Sequence, residues 1–286
     1  MDIDRSRNRL DAHLRRWSLS SPKGIATTPS SRIYKVTLSD GRPAALKCLT
    51  PRGAEEAIGA AYLDWRDGSG AAQLIASDND AMVIEWLDGP SLGDLTRAGQ
   101  IDETMAVLRA LISRLHAPGP SAPDALTPLA TRFRTLLSLD PGRVVVPLRP
   151  LMERSRHEAR SCLAGSRQAI PLHGDLHHDN ILRGDRGWLA FDPKGVLGDP
   201  AYDLANLFIN PVGAPELATD LSYHQRLAHE LAPLVRVDPM TLRQWAVAHA
   251  GLSMAWCLDD DGRIPDAAAP ILTALIGGLD REREGA

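Results

Sequence analysis

The sequence predicts an α+β fold with a small antiparallel β-sheet and one helix over residues 1–88, followed by a larger, mainly helical part over residues 89–286. Two observations predict this division. In the first part, short apolar runs alternate with turn residues, which is typical of antiparallel strands. After the chain breaker Asp88-Gly89-Pro90, apolar residues recur at helical spacing instead.

The first part contains four predicted strands, which form two pairs. In each pair a polar turn separates two apolar runs, so we expect two hairpins within a sheet of about five strands. Leu10, Leu14 and Trp17 predict a short amphipathic helix packed on this part, and residues 54–65 predict the helix between the pairs. The predicted strands lie at residues 33–38, 43–49, 72–76 and 81–87.

The second part is predicted to be helical except for one hairpin. Apolar runs at 181–183 and 188–191 flank the turn sequence Gly184-Asp185-Arg186-Gly187, and together they predict a short antiparallel pair. The helical patterns lie at residues 91–95, 102–116, 133–139, 148–163, 204–208, 222–234, 241–258 and 267–279.

Composition excludes several classes of protein. Hydrophobic residues make up 44% of the chain, and the net charge is −4, so a folded core is expected and a nucleic-acid partner is not. No apolar run approaches the roughly 18 residues of a membrane helix, and the N-terminus lacks the apolar core of a signal peptide. Three widely spaced cysteines fit neither a disulfide framework nor a zinc site. We therefore expect a cytoplasmic, monomeric protein without a membrane partner.

Three side chains with oxygen ligands flank the predicted hairpin. Asp175 and Asn180 lie on the loop before it, and Asp192 follows its second strand. Because a hairpin brings its two ends together, Asn180 and Asp192 should lie side by side. An amide oxygen beside a carboxylate suits Mg²⁺, which binds few protein ligands together with phosphate. Asp175 is then available as the base for a substrate hydroxyl, which is the arrangement of a phosphotransferase.

The loop sequence His173-Gly174-Asp175-Leu176-His177-His178-Asp179-Asn180, with Asp192-Pro193 after the hairpin, resembles the aminoglycoside phosphotransferase family. In its detail it is most similar to the streptomycin 6-phosphotransferase and hydroxyurea phosphotransferase group. The resemblance covers most of the chain. It implies a bilobal protein-kinase-like fold, with residues 1–88 as the nucleotide-binding lobe and residues 89–286 as the catalytic and acceptor-binding lobe.

The resemblance also implies the reaction. A kinase of this group transfers the γ-phosphoryl of ATP, with Mg²⁺, to a hydroxyl of a small cationic antibiotic, and it confers resistance to that antibiotic. Streptomycin, at its 6-hydroxyl, is the first choice of acceptor. Another small hydroxylated amine such as hydroxyurea is the alternative. In this reaction Asp175 is the predicted catalytic base, and Asn180 and Asp192 are the predicted metal ligands.

Lys47 is the predicted partner of the ATP phosphates, although a lysine within a strand is more often an edge residue that faces water. Glu56 is our choice of carboxylate to hold it, because Glu56 shares a helical stripe with Ala60 and Leu63; Glu55 is second. The resemblance implies further nucleotide-binding residues, which are Ser30 and Ser31 in a phosphate loop and the backbone of Glu85 and Leu87 at the adenine edge. Two residues are implied to support the catalytic loop, which are His173 and Asp203.

Two features of the second lobe remain open on the sequence alone. Asp203 could instead be a helix N-cap, and Lys194 is expected at the mouth of the site without an assigned role.

For the acceptor we predict Trp256, Asp259 and Asp260 as binding residues, because acidic side chains at a helix C-terminus oppose the helix dipole and suit a cation. The alternative is an ordinary solvated loop.

Two other classes of protein compete with a kinase. The cluster His173, Asp175, His177, His178 and Asp179 could form the zinc site of a metallohydrolase, although the adjacent histidines cannot easily face one ion. A nucleotide-binding pseudokinase that regulates a partner is the other alternative. A complete set of Lys, base and metal ligands argues against it.

Overall fold

The computed structural model describes the backbone of residues 2–166 and 168–285, and the side chains of residues 8–166 and 168–284. Its first lobe is a five-stranded antiparallel sheet in the order β1-β2-β3-β5-β4. The four predicted strands are confirmed. A fifth, β1, lies at the sheet edge and is exposed along its whole length, so it carries no apolar pattern. The strands are β1 (Ser20–Thr27), β2 (Ser31–Thr37), β3 (Pro43–Leu49), β4 (Leu74–Ser77) and β5 (Ala81–Glu85).

A helix covers each face of this sheet. Helix α1 (Asp2–Arg16) packs Leu10 and Leu14 on the outer face, as its periodicity predicts. On the other face the predicted helix is in two pieces, a 3₁₀ segment at Pro51–Ala57 followed by α2 (Ile58–Arg66). Proline at the start of the 3₁₀ segment lacks the backbone N–H but suits a first helical turn.

The second lobe is built around one buried helix. Helix α11 is 22 residues long and buried on nearly all sides, so it forms the centre of the largest hydrophobic core. The helices of this lobe are α3 (Leu92–Arg97), α4 (Ile101–Leu115), α5 (Leu129–Arg132), α6 (Arg134–Ser138), α7 (Arg149–Gly165), α8 (Pro200–Ala205), α9 (Pro215–Thr219), α10 (Leu221–Leu231), α11 (Pro239–Asp260) and α12 (Ala268–Gly285). None of the helices in the described part of the chain combines the length and apolarity of a membrane span.

The second lobe also contains more strand than the sequence predicts. Besides the hairpin, β6 (Thr127–Pro128), β7 (Ile170–Leu172) and β10 (Val196–Gly198) form a three-stranded sheet in the order β6-β10-β7. The prediction that the hairpin is the exception to a helical lobe was therefore wrong. Strands of two or three residues are too short to show an alternating pattern, and tertiary contacts decide their pairing.

The predicted hairpin is confirmed as β8 (Ile181–Gly184) and β9 (Gly187–Ala190), which are antiparallel. It connects the two lobes through backbone hydrogen bonds. Ala190 bonds to the segment at 70–72, and Arg183 bonds to Gly89 and Pro90. The strands that lead into and out of the predicted metal site are therefore held between the lobes.

Candidate active site

The loop between β7 and β8 is held from below by Asp203. Its carboxylate accepts hydrogen bonds from the backbone N–H of His173 at 3.2 Å and of Gly174 at 2.7 Å. His116 Nε2 lies 3.0 Å from the same carboxylate. Gly174 has φ of +78°, and a Cβ there would meet a methyl of Val196 at 2.5 Å, so the turn requires glycine.

Burial alone would raise the pKa of Asp203, but the interactions with His116 and His173 and the hydrogen bond from the Gly174 backbone outweigh it and hold that pKa below its usual value. The carboxylate therefore stays ionised under the loop. The N-cap of α8 is a different residue, Asp199, which accepts a hydrogen bond from the backbone of Ala201 at 2.9 Å. Asp203 thus contacts the loop and does not cap the helix.

His173 is fully buried and lies between the loop and the second strand of the hairpin. Its Nε2 donates to the carbonyl oxygen of Phe191 at 2.9 Å, and its Nδ1 accepts from the backbone N–H of Asp175 at 3.3 Å. Burial lowers the pKa of His173, which favours the neutral ring that this pair of bonds requires. The ring positions Asp175 relative to the residue before Asp192.

Two amide groups hold the side chain of Asp175. Asn206 Nδ2 donates to Oδ1 at 3.0 Å, and Asn180 Nδ2 donates to the Asp175 carbonyl oxygen at 3.0 Å and lies 3.4 Å from Oδ2. Asn210 in turn donates to Asn206 Oδ1 at 2.8 Å. The sequence reasoning missed Asn206 and Asn210. The signal was present, because two amides four residues apart interrupt the apolar run 204–210 and are buried there.

Asn180 and Asp192 lie at the open end of the hairpin, as its register requires. The backbone N–H of Phe191 donates to the carbonyl oxygen of Asn180 at 2.9 Å, so Asp192 follows directly after the residue opposite Asn180. Asp192 has φ of +59°, an unfavourable value for a residue with a side chain and one that is concentrated at functional sites. Because the Asn180 nitrogen is turned to Asp175, its amide oxygen remains for a metal. This donor set fits Mg²⁺.

Four charged side chains meet beside this pair, and we call Lys47, Glu56, Asp192 and Lys194 the charge cluster. Lys47 Nζ lies 2.6 Å from Glu56 Oε2 and also contacts Asp192 Oδ1. Lys194 Nζ lies 3.0 Å from Glu56 Oε1 and 3.4 Å from Asp192 Oδ2. Each lysine thus binds one oxygen of each carboxylate.

The charge cluster favours the ionised forms of Glu56, Asp192 and Lys194. Burial opposes ionisation of Glu56 and Asp192, but the two ammonium groups outweigh it and keep the pKa of both carboxylates below the usual value. Burial likewise opposes the charge on Lys194, but Asp192, Asp175 and Glu56 raise its pKa. A Cβ built on Gly174 would lie 3.6 Å from the Cβ of Lys194, so Lys194 packs against the loop that carries the predicted base.

The surroundings of Lys47 argue against a lysine that faces water. It lies on β3, the middle strand of the sheet, and is only 8% exposed. Glu56 is its partner, whereas Glu55 is exposed. The position of Glu56 depends on a close approach of the lobes, since a Cβ on Gly59 would lie 2.2 Å from the carbonyl oxygen of Pro193. That contact keeps the start of α2 against the Asp192 loop.

The other predicted nucleotide-binding residues surround β3 and the hinge. The Ser30 and Ser31 hydroxyls each lie 3.1 Å from Thr28 Oγ1 in the turn between β1 and β2. The Glu85 carboxylate accepts from the backbone of Gln73 at 2.6 Å and pairs with Arg186 of the hairpin turn. The roles predicted for Glu85 and Leu87 use the backbone, so these side-chain contacts leave them open.

A cavity of about 590 Å³ is lined by Asn206, the residue whose amide donates to Asp175, and by His177 of the same loop. The face of α11 that carries Ser253 and Cys257 forms one wall. The remaining lining comes mainly from the 209–218 segment and the start of α12. Among the described residues that line this cavity none is acidic, and the walls are mostly apolar.

The three residues predicted to bind the acceptor do not line this cavity. Trp256 has Arg132 4.7 Å above its ring, so a cation from the chain already covers this aromatic face. Asp259 pairs with Arg143 at 2.6 Å. Asp260 is exposed at the end of α11, three residues after Cys257 in the cavity wall. Of the three, it is the one for which the described residues show neither an ion pair nor a covering cation.

The side chains proposed for a zinc site bind different partners. His178 Nε2 lies 3.0 Å from the Tyr223 hydroxyl, and burial lowers the pKa of His178 to about 3. Asp179 pairs with Arg97 at 2.8 Å, and His173 bonds to the backbone. A search of the described residues finds one group of possible metal ligands, His13, Asp78 and Asp80, which lies outside this loop. The arrangement therefore argues against the metallohydrolase.

Comparison with known proteins decides the family. The sequence model for the aminoglycoside/hydroxyurea antibiotic resistance kinases matches residues 16–262. The chain belongs to this family. Streptomycin 3''-kinase from Klebsiella pneumoniae is 38% identical over 262 residues, which are 90% of this chain and 95% of that protein. Streptomycin 6-kinase from Streptomyces glaucescens is 32% identical over 272 residues, which are 93% of this chain and 87% of that protein.

The fold is also that of known members of the wider group. The crystal structure of aminoglycoside phosphotransferase APH(4)-Ia, in a ternary complex with ADP and hygromycin B, matches with a TM-score of 0.63 and 16% sequence identity. The match covers 96% of this chain and 98% of that one. The protein-kinase-like fold, with an antiparallel sheet before a mainly helical lobe, is therefore confirmed.

Proposed function

We propose that this protein is an ATP-dependent phosphotransferase that transfers the γ-phosphoryl group to a hydroxyl of streptomycin and so confers resistance to it. One observation carries the proposal. The carboxylate of Asp175 is held by two amides between the charge cluster and a cavity large enough for part of a small molecule. A base in this position can reach an acceptor hydroxyl on one side and a phosphoryl group on the other.

In the proposed reaction, Asp175 accepts the proton of the acceptor hydroxyl. The acceptor oxygen forms a bond to the γ-phosphorus, the bond to the β-phosphate oxygen breaks, and ADP leaves with the electron pair of that bond. Asn206 and Asn180 orient Asp175, because each donates to it and neither can accept its proton. The protein acts by positioning and by neutralising charge.

The nucleotide site combines two kinds of residue. Asn180 and Asp192 would hold Mg²⁺, which neutralises phosphate charge when bound. Lys47, held by Glu56, would bind the phosphates. We further propose that the turn at Ser30 and Ser31 covers the phosphates with its backbone, and that the backbone of Glu85 and Leu87 binds the adenine. The complex of APH(4)-Ia with ADP supports a nucleotide in this cleft.

Two hydroxyl groups of streptomycin are candidates for phosphorylation, the 6-hydroxyl and the 3''-hydroxyl. The sequence led us to expect the 6-hydroxyl. The streptomycin 3''-kinase is 38% identical over 95% of its length, whereas the S. glaucescens 6-kinase is 32% identical over 87%. We therefore propose the 3''-hydroxyl as first choice and the 6-hydroxyl as second. Hydroxyurea remains the alternative acceptor, because the family description includes it.

The deciding experiment measures ADP release with Mg²⁺ and ATP against streptomycin, hygromycin B and hydroxyurea in parallel. The proposal expects activity with streptomycin that exceeds the ATPase background, and a product heavier by one phosphoryl group. Phosphorus–proton correlation in the product spectrum then assigns the hydroxyl. Tight ATP binding with no acceptor turned over would instead favour the pseudokinase. Gel filtration in the same buffer tests the proposed monomer.

A further inference from the structure

Lysine is rare in this chain, and half of its lysines are in the charge cluster. Of the 32 basic residues four are lysines, at positions 23, 35, 47 and 194, and the other 28 are arginines. Lys47 and Lys194 each contact one oxygen of Glu56 and one oxygen of Asp192. An ammonium is a compact charge on a flexible stem, whereas a guanidinium is a planar fork that favours one bidentate partner. Binding two carboxylates at once suits the ammonium.

The two lysines enter the charge cluster from opposite sides. Lys47 projects from the middle of the sheet in the first lobe, and Lys194 from the loop that follows the predicted metal ligand Asp192. Lys194 is also the one whose pKa is raised by Asp175. The backbone N–H of Lys194 donates to the carbonyl oxygen of His173 at 2.8 Å, so Lys194 lies beside the loop that carries the proposed base.

A metal at Asp192 would change the balance of this charge cluster. Asp192 accepts one contact from each ammonium group, at Oδ1 from Lys47 and at Oδ2 from Lys194. An oxygen that binds a metal would no longer be free for its lysine. Each lysine would then keep one oxygen of Glu56 and have N–H groups left for phosphate oxygens. The resting ion pairs thus hold two cations ready beside the nucleotide.

Two arginines of the described part of this lobe, Arg97 and Arg132, are already bound to other partners. The catalytic loop, residues 173–180, contains neither lysine nor arginine. Arg97, which lies beside it, is bound to Asp94 and Asp179. Arg132 donates to the Tyr202 hydroxyl and stacks on Trp256. Lys194 is therefore the cation that the described residues offer to a phosphoryl group passing Asp175.

We propose that Lys194 binds the phosphoryl group that is transferred, while Lys47 binds the phosphates that remain on ADP. This inference rests on the proposed function and assigns the residue whose role the sequence left open. In phosphoryl transfer, charge spreads over the three oxygens of the moving group, and a cation placed there stabilises the transition state. The flexible stem of Lys194 lets its ammonium follow the group from nucleotide to acceptor.

The test compares nucleotides that differ by the transferred group. Calorimetry with Mg²⁺ measures the Kd of a non-hydrolysable ATP analogue and of ADP for wild type, Lys194→Met, Lys47→Met and Lys23→Met. For Lys194→Met we expect the Kd of the triphosphate to rise about ten-fold or more, as the loss of a charge-assisted bond predicts, with the Kd of ADP within about two-fold. Lys47→Met should weaken both. Lys23 is exposed on β1, so Lys23→Met removes the same charge outside the charge cluster and should weaken the binding of neither nucleotide.

Turnover gives a second readout. Lys194→Met should lower kcat by about 10²-fold or more, and Lys194→Arg should recover part of that loss, because it restores the charge with different geometry. A Lys194→Met variant that weakens ADP and the triphosphate equally, or neither, would overturn the proposal and leave Lys194 as a structural ion pair.

Folding and the proposed function are controlled separately. If thermal melting shows that Lys194→Met does not fold, Lys194→Gln replaces it, because the amide keeps a donor for Glu56 without the charge. The Kd values of the triphosphate and of ADP for Lys194→Gln are then judged in the same way. If wild-type protein binds nucleotide but phosphorylates no acceptor, the proposed function fails while the comparison of triphosphate with diphosphate still tests Lys194.

Discussion

The two sides of Asp175 are built in opposite ways. On the nucleotide side, four charged residues bind one another in a buried cluster, and every ammonium and carboxylate has a partner. On the proposed acceptor side, the cavity is mostly apolar, and its polar lining includes the imidazole of His177 and the amides of Asn206 and Asn210. Asp175, the proposed base, is bonded to Asn206 of this lining.

This difference agrees with the ligand that we propose for each side. A triphosphate with its metal is always highly charged, so charges arranged in advance lower the cost of reorganisation. A small antibiotic is recognised mainly by shape and by a few polar contacts, which suits a largely apolar cavity. Mutations on the charged side should therefore change kcat and the Mg²⁺ requirement. Mutations on the apolar side should change the KM for the acceptor.

The largest effect on turnover is expected at Asp175, between the two sides. Asp175→Asn keeps the size of the side chain but removes the group that accepts the proton, so kcat should fall about 10²–10⁴-fold with ATP affinity little changed. Steady-state kinetics and calorimetry measure the two quantities. Asp185→Asn, in the exposed hairpin turn, is the matched control. Turnover like that of the wild type in Asp175→Asn would remove this residue from the mechanism.

The next effect distinguishes the two proposed metal ligands, Asn180 and Asp192. Asp192→Ala should raise the Mg²⁺ concentration needed for half-maximal activity more than Asn180→Ala does, because Asp192 contributes a full charge and Asn180 a dipole. A Mg²⁺ titration of activity for each variant decides the order. The ranking fails if the Asn180 variant shows the larger shift. Thermal melting checks that the loss of ion pairs to Lys47 and Lys194 leaves the protein folded.

A smaller effect tests the chain of amides on the acceptor side. Asn206→Leu removes the hydrogen bond to Asp175 Oδ1, and we expect kcat to fall about ten-fold, which is the usual size for one hydrogen bond to a charged group. Asn210→Leu leaves that bond in place and removes only its support, so its effect should be smaller. ATP affinity should be unchanged in both. Equal losses in the two variants would mean that the effect comes from packing.

The smallest effect is expected at Asp260, at the exposed end of α11. Asp260→Asn should raise the KM for streptomycin about three- to ten-fold and leave the KM for ATP unchanged, since an exposed charge contributes modestly to binding a cation. Asp259→Asn is the matched control, because its carboxylate is already paired with Arg143. Added salt should reduce the difference between wild type and Asp260→Asn. An unchanged KM in Asp260→Asn would leave the apolar walls as the source of acceptor affinity.

The sequence was sufficient for the features that depend on local pattern. The strands and the hairpin follow from alternating apolar residues and turn residues, and the spacing of Asp175, Asn180 and Asp192 follows from that hairpin. Strand β1 and the three-stranded sheet of the second lobe were missed, because an exposed strand and strands of two or three residues carry no such pattern.

What the chain by itself determined, then, is the two-lobed architecture and the loop and hairpin that carry Asp175, Asn180 and Asp192, since both arise from residues close together in sequence. Tertiary structure alone decided that Glu56 rather than Glu55 meets Lys47, that Asn206 reaches Asp175, and that Arg132 covers Trp256. Those contacts join residues far apart in the chain. They depend on how whole helices and lobes pack, which no local pattern encodes.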